Sequence, residues 1–120
     1  MKKIFLYTIL FFLFCGNVIA DTKDREIKLD QLFEQLKKSS NASVAIETEN
    51  KIWKIWSIHP SNDRRGYRLT ELLAQGSFLI TKKELNKAYE IFSQIILVDS
   101  NWSEAWNKRA TVLYLMGRYQ

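Results

Sequence analysis

Catalysis or metal binding needs histidine, cysteine or carboxylate side chains at set spacings, and this 120-residue chain offers few candidates. Its one histidine, His59, stands directly before Pro60, and its one cysteine is Cys15 near the N-terminus. Metal sites need several ligands together, so a lone histidine reads as a surface or capping residue rather than as a ligand or base. Glu47 and Glu49 stand too close in sequence to share a helix face, which denies them the work of an acid/base pair. No HExxH, P-loop or nucleophile-elbow pattern occurs. Arg64 and Arg65 have the charge to hold an anionic group, but beside Asp63 they read as a solvated cluster. Trp53, Trp56, Trp102 and Trp106 have ring faces on which bases or sugars stack. Trp56 and Trp106, however, fall on apolar stripes, so core filling is the expectation for those two. Nothing here supplies a catalytic residue, a metal site or a cofactor site, and an enzyme is not expected.

The elements that must position these residues begin after a leader. Lys2 and Lys3 precede an apolar run from Ile4 to Phe14, followed by Val18-Ile19-Ala20, which is the order of a secretory signal. Cleavage is expected between Ala20 and Asp21. The alternative is an uncleaved anchor in the inner membrane, but the run is shorter than the roughly 17 to 25 apolar residues of a span, and Gly16 and Asn17 interrupt it. A lipidated Cys15 is disfavoured by the bulky Phe14 before it. The chain then divides into a signal segment, 1–20, and one domain, 21–120. That domain has no cysteine and must be held by packing alone. Its charge is mild: 18 Lys+Arg less Lys2 and Lys3 leaves 16 against 13 Asp+Glu, a net of +3. Nucleic acid binding usually demands a clustered basic face, so no nucleic acid partner is expected.

With one proline and four glycines in the whole chain and no strand-like alternation, residues 21–120 read as all-α. Leu29, Leu32, Phe33 and Leu36 share one face of a first helix, which Ser39-Ser40-Asn41 ends. Ala45, Thr48, Ile52, Ile55 and Trp56 line a second, stopped at His59-Pro60 because the residue before proline is pushed out of the helical region. After the polar loop from Ser61 to Gly66, a third helix carries Leu69, Leu72, Leu73, Gly76, Leu79 and Ile80. The chain turns at Thr81 to Glu84, and Leu85, Ala88, Ile91, Phe92, Ile95 and Ile96 form the inner face of a fourth. A fifth runs from about Ser103 to Met116 and ends at Gly117, a residue suited to a left-handed C-terminus.

Two of these helices repeat each other. Leu72-x2-Gln75-Gly76-x2-Leu79 returns 34 residues later as Trp106-x2-Arg109-Ala110-x2-Leu113, with large and small side chains at the same offsets. That period is the length of a helix-turn-helix repeat. With Ala88-x3-Phe92 on the intervening helix and Gly117 at the following turn, the segment resembles the tetratricopeptide repeat family. The match is complete over 69–102, extends over 69–119, is looser over 42–60 and is faint before that. Ser100 stands where the family usually has proline, and Gln75 and Arg109 where it has leucine. The stretch Glu104 to Ala110 is similar to repeats in exported proteins of proteobacteria, which implies the periplasm.

The resemblance implies antiparallel helix pairs stacked as a short solenoid of about five helices after the signal. It implies a non-catalytic protein-protein interaction or assembly module in the cell envelope, with a membrane-tethered structural component as the alternative if the leader is retained. The first helix of each pair would face a concave groove, contributing Leu73, Ser77 and Ile80 from one repeat and Asn107, Thr111 and Tyr114 from the next. Such a groove suits an apolar or amphipathic peptide or helix of a protein partner. Only Asn107 and Lys108 resemble the set that family members use to clamp a C-terminal carboxylate, so that mode is not expected. Leu72, Gly76, Leu79, Ala88, Phe92, Trp106, Ala110 and Gly117 are the structural repeat positions. No cofactor or metal is implied, the membrane is met only through the leader, and neither the partner's identity nor an oligomeric state follows. The chain stops at Gln120, where a helix pairing with the fifth is expected to start, so either a truncated product or a second chain covering that face is expected.

Overall fold

A computed structural model of the chain describes residues 22–118. The expected processing site, Ala20 and Asp21, lies outside the described residues. Helix α1 covers 22–38, and α2 (Ala42–Trp56), α3 (Arg64–Thr81), α4 (Leu85–Val98) and α5 (Ser103–Leu115) follow. There is no strand among the described residues, and the class is all-α. The chain forms two compact units. One holds α1 and all but the last residue of α2; the other holds residues 56–59 and the chain from Asp63 onward.

In the first unit, Asn41 starts α2. Its side-chain Oδ1 accepts from the Ser43 N–H at 2.9 Å, satisfying a donor that the first helical turn leaves unpaired. Leu32, Thr48 and Ile52 are buried, whereas Phe33, placed on the apolar stripe by its spacing, is exposed. The Thr48 hydroxyl escapes an unpaired burial by donating to the Val44 carbonyl at 2.7 Å. Glu47 pairs with Lys51 one turn on, at 2.6 Å, and that ammonium holds the Glu47 carboxyl below its ordinary range.

The second unit is built around α4, with α3 on one side and α5 on the other. Asp63 caps α3 by accepting from the Gly66 N–H at 2.7 Å. The core joins Leu69 and Leu73 of α3, Ala88, Phe92, Ile95 and Ile96 of α4, and Ala105 and Val112 of α5, closed by Trp102. Phe92 lies flush against the backbone of α3: a Cβ added at Gly76 would stand 2.5 Å from Phe92 Cε1 and 2.7 Å from Cζ. Only glycine admits the ring there.

The 34-residue period is visible in the backbone. At the end of α3 the N–H groups of Lys82, Lys83 and Glu84 donate to the carbonyls of Phe78, Ile80 and Leu79. At the end of α5 those of Met116, Gly117 and Arg118 donate to Val112, Tyr114 and Leu113. Every donor and acceptor in the second set lies 34 positions after its counterpart. The left-handed residue recurs too, Lys83 at φ 59° and Gly117 at φ 71°. Glycine adopts that conformation without penalty, and lysine does not.

The tryptophans correct the sequence expectation. Trp106, placed on the buried stripe, is 44% exposed, and it is Trp102 that is buried, at 5%. The reason is rotational. Helix α5 meets α4 through Ala105 and Val112, and the next residue round the helix, Trp106, points about 100° away from that contact.

Candidate partner-binding face

The residues assigned to a groove come from equivalent positions of α3 and α5. Helix α3 supplies Leu73, Ser77 and Ile80; α5 supplies Asn107, Thr111 and Tyr114, each 34 residues later. The structure removes one of them. Leu73 is 1% exposed and belongs to the core, because at its position α3 is covered by α4 and α5 together. It cannot line a surface. Ser77 and Ile80 are half-buried, with Ile80 packed against the core, and Asn107 and Thr111 are exposed. Tyr114 is 66% exposed.

The hydroxyls on this face are engaged in the same way in both helices. Ser77 Oγ donates to the Leu73 carbonyl at 2.9 Å, and Thr111 Oγ1 donates to the Asn107 carbonyl at 3.0 Å. With their hydrogens committed to their own helices, both oxygens are left as acceptors. The Asn107 amide donates to Glu104 Oε2 at 3.3 Å. Glu104 is itself buried, with the Lys108 ammonium 3.5 Å from its other oxygen. The face therefore combines an aromatic ring, an aliphatic side chain and a few fixed polar atoms. Among the described residues no three of His, Cys, Asp or Glu are grouped to hold a metal, and no helix is long and apolar enough to cross a membrane.

No family model and no solved structure matches the chain. A TPR repeat-containing protein of Rhizobium etli is 30% identical to it over 87% of its length. The repeat of this chain is similar to the tetratricopeptide type that this relative's name gives. The chain spans half the length of that relative.

In the tetratricopeptide register, α3 and α5 are first helices and α4 is the second helix of the complete repeat. The family's Leu72, Gly76 and Leu79 positions lie on α3, where Gly76 is buried and Leu72 and Leu79 are half-buried against the core. Ala88 and Phe92 on α4 are fully buried. On α5 the equivalent Trp106 and Ala110 are exposed, and Leu113 is half-buried. Arg109, in the place of a family leucine, lays its guanidinium 4.7 Å from the Trp106 ring and 5.8 Å from that of Tyr89 on α4. Ser100, in the place of a family proline, receives the Trp106 indole N–H on its carbonyl at 2.9 Å.

A second cluster escaped the sequence reading. His59, expected at the surface or in a cap, is buried. Its Nε2 lies 2.9 Å from Asp99 Oδ2, and its ring meets Trp102 edge-on, 4.9 Å between centroids. Its backbone N–H donates to Thr70 Oγ1 at 2.9 Å. The segment after α2 is thus tied both to α3 and to the turn between α4 and α5. The His59 hydrogen bond holds the Asp99 carboxyl below its ordinary range, helped by the Asn101 N–H and the nearby Arg65 charge. Forty residues separate His59 from Asp99, and no local spacing pairs them. The proline after His59 was the only signal, and it marks a helix end rather than a contact.

Proposed function

We propose that this chain is an exported, non-catalytic protein-protein interaction module of the cell envelope, taking a peptide or helix of a partner on the face formed by Ser77, Ile80, Asn107, Thr111 and Tyr114. The observation that carries this reading is the exposure of Tyr114 at the position equivalent to Ile80, flanked by polar atoms already fixed by intrahelical bonds. An apolar or amphipathic segment gains affinity there from buried area and orientation from the hydroxyl oxygens and the Asn107 amide. The name of the Rhizobium etli relative supports a repeat module, since stacked helix pairs commonly serve as binding surfaces. Export rests on the order Lys2-Lys3, apolar run, Ala20, and the periplasm is the compartment this reading assigns.

The test is affinity capture from the organism's own envelope with the exported protein, comparing wild type with a Tyr114→Ala, Asn107→Ala double variant. Both side chains are exposed, so helical content stays at the wild-type value while capture of the principal partner falls. Equal capture by the folded variant moves the binding face elsewhere. N-terminal sequencing of the exported protein reads the leader: a start at Asp21 fits export, and full-length chain in the membrane fraction replaces it with a tethered component.

A further inference from the structure

Resting on the interaction reading above, we propose that Glu104 is a positioning residue of the Tyr114 and Asn107 face: its buried carboxylate turns the Asn107 amide so that the face offers mostly hydrogen-bond acceptors. The segment such a face takes is amphipathic, with side-chain amides and no carboxylates at its polar positions.

A carboxylate accepts hydrogen bonds and cannot donate them. Asn107 Nδ2 lies 3.3 Å from Glu104 Oε2, so the amide nitrogen must stand on that side, since the opposite assignment would set two acceptors against each other. The Asn107 Oδ1 is then left as an acceptor. It joins the Ser77 and Thr111 oxygens, whose hydrogens go to the Leu73 and Asn107 carbonyls. Against these three oxygens the face sets the second amide hydrogen of Asn107 as a donor, and the Tyr114 hydroxyl serves either way.

Glu104 is 6% exposed, and its Oε1 is buried with no hydrogen-bond partner among the described residues, although the Lys108 ammonium lies 3.5 Å away. A buried carboxylate oxygen left so is costly, and the positive end of the α5 dipole offsets only part of that cost. The equivalent position on α3 does without a carboxylate: Thr70 stands there and donates its hydroxyl to the Gly66 carbonyl. What the carboxylate supplies on α5 is direction for Asn107 and a counter-charge for Lys108. With its ammonium matched, Lys108 does not draw a partner's carboxylate. A partner glutamate would therefore meet like oxygens, whereas a glutamine donates to them.

The experiment has two readouts. In isotope-labelled protein the two side-chain amide protons of Asn107 are expected to differ more in chemical shift in wild type than in Glu104→Ala. Fluorescence anisotropy then compares two labelled amphipathic helical peptides, alike except for glutamine or glutamate at every polar position. Wild type should bind the glutamine peptide roughly tenfold more tightly, against the attraction of a net positive chain for the acidic one. The new side chain of Glu104→Gln donates as well as accepts, which frees Asn107 to turn and should bring that ratio close to one. Circular dichroism checks that both variants keep the wild-type helix content. An Asn107 signal unchanged in Glu104→Ala overturns the proposal, and so does a peptide preference that survives in folded Glu104→Gln. Equal binding of the two peptides to wild type also overturns it. Binding of neither peptide does the same, and the interaction reading falls with it only if the Tyr114→Ala, Asn107→Ala variant captures envelope partners as wild type does.

Discussion

Helices α3 and α5 carry the same pattern 34 residues apart, yet one is built into the core and the other stands half outside it. Gly76 and Ala110 occupy equivalent positions; Gly76 is buried beneath the Phe92 ring, and Ala110 is exposed. Leu73 is in the core, whereas Asn107 is on the surface. Near the helix starts, Thr70 accepts the His59 N–H, while Glu104 is buried with Lys108 and Asn107 as neighbours. The difference teaches that the repeat pattern specifies which face of a helix is suited to close approach. Whether the face is covered depends on a neighbouring helix.

The sharpest way to break this comparison is to enlarge the small residue in both helices. Gly76→Leu forces the Phe92 ring out of its place and should cost about 3 kcal/mol, whereas Ala110→Leu should change stability by less than about 0.5 kcal/mol. Thermal or urea unfolding reads both. Equal effects would mean that the two stripes are not differently covered.

The His59–Asp99 tie bears on the α3 side of the comparison. Asp99→Asn removes a hydrogen bond to a charged acceptor and should cost about 2 kcal/mol at neutral pH. The sign of the pH dependence follows from the direction of the shift. Because the folded carboxyl titrates below its ordinary value of 3.8, its contribution is complete above that value and is lost as pH falls through the folded one. Wild-type stability should therefore decline on acidification from about pH 5 downward, and the decline should be shallower in Asp99→Asn. Parallel curves for the two proteins would remove Asp99 from the account.

The smallest effects lie in the two turns. Lys83 and Gly117 hold the same left-handed conformation, so Gly117→Ala should destabilise by about 1 kcal/mol, and Lys83→Gly should stabilise by about 0.5 kcal/mol. Opposite signs at positions one repeat apart would make the backbone equivalence quantitative, and urea midpoints resolve them.

Much of this was readable in the residues. The stripe Leu85, Ala88, Phe92, Ile95 and Ile96 foretold both the existence of α4 and its inner face, because apolar spacing at three and four residues leaves a helix one way to bury itself. Gly117 marked the end of α5, and the recurrence of large and small residues fixed the 34-residue register. The candidate face was legible in part. Asn107, Thr111 and Tyr114 stand at the surface, but Leu73 looked the same as a groove residue because its environment is set by α4 and α5 rather than by its own helix.

What the sequence determined by itself is therefore local: helix positions, caps, turns and the places where a backbone can be approached. These depend on residues within a few positions of one another. Tertiary structure alone decided that Trp102 is buried and Trp106 exposed, since a rotation of α5 by one residue against α4 would exchange neighbouring faces. It also decided that His59 is enclosed between Asp99 and Trp102, partners 40 and 43 positions away. A hydrogen bond across that separation exists only once three helices have packed, and no periodicity encodes it.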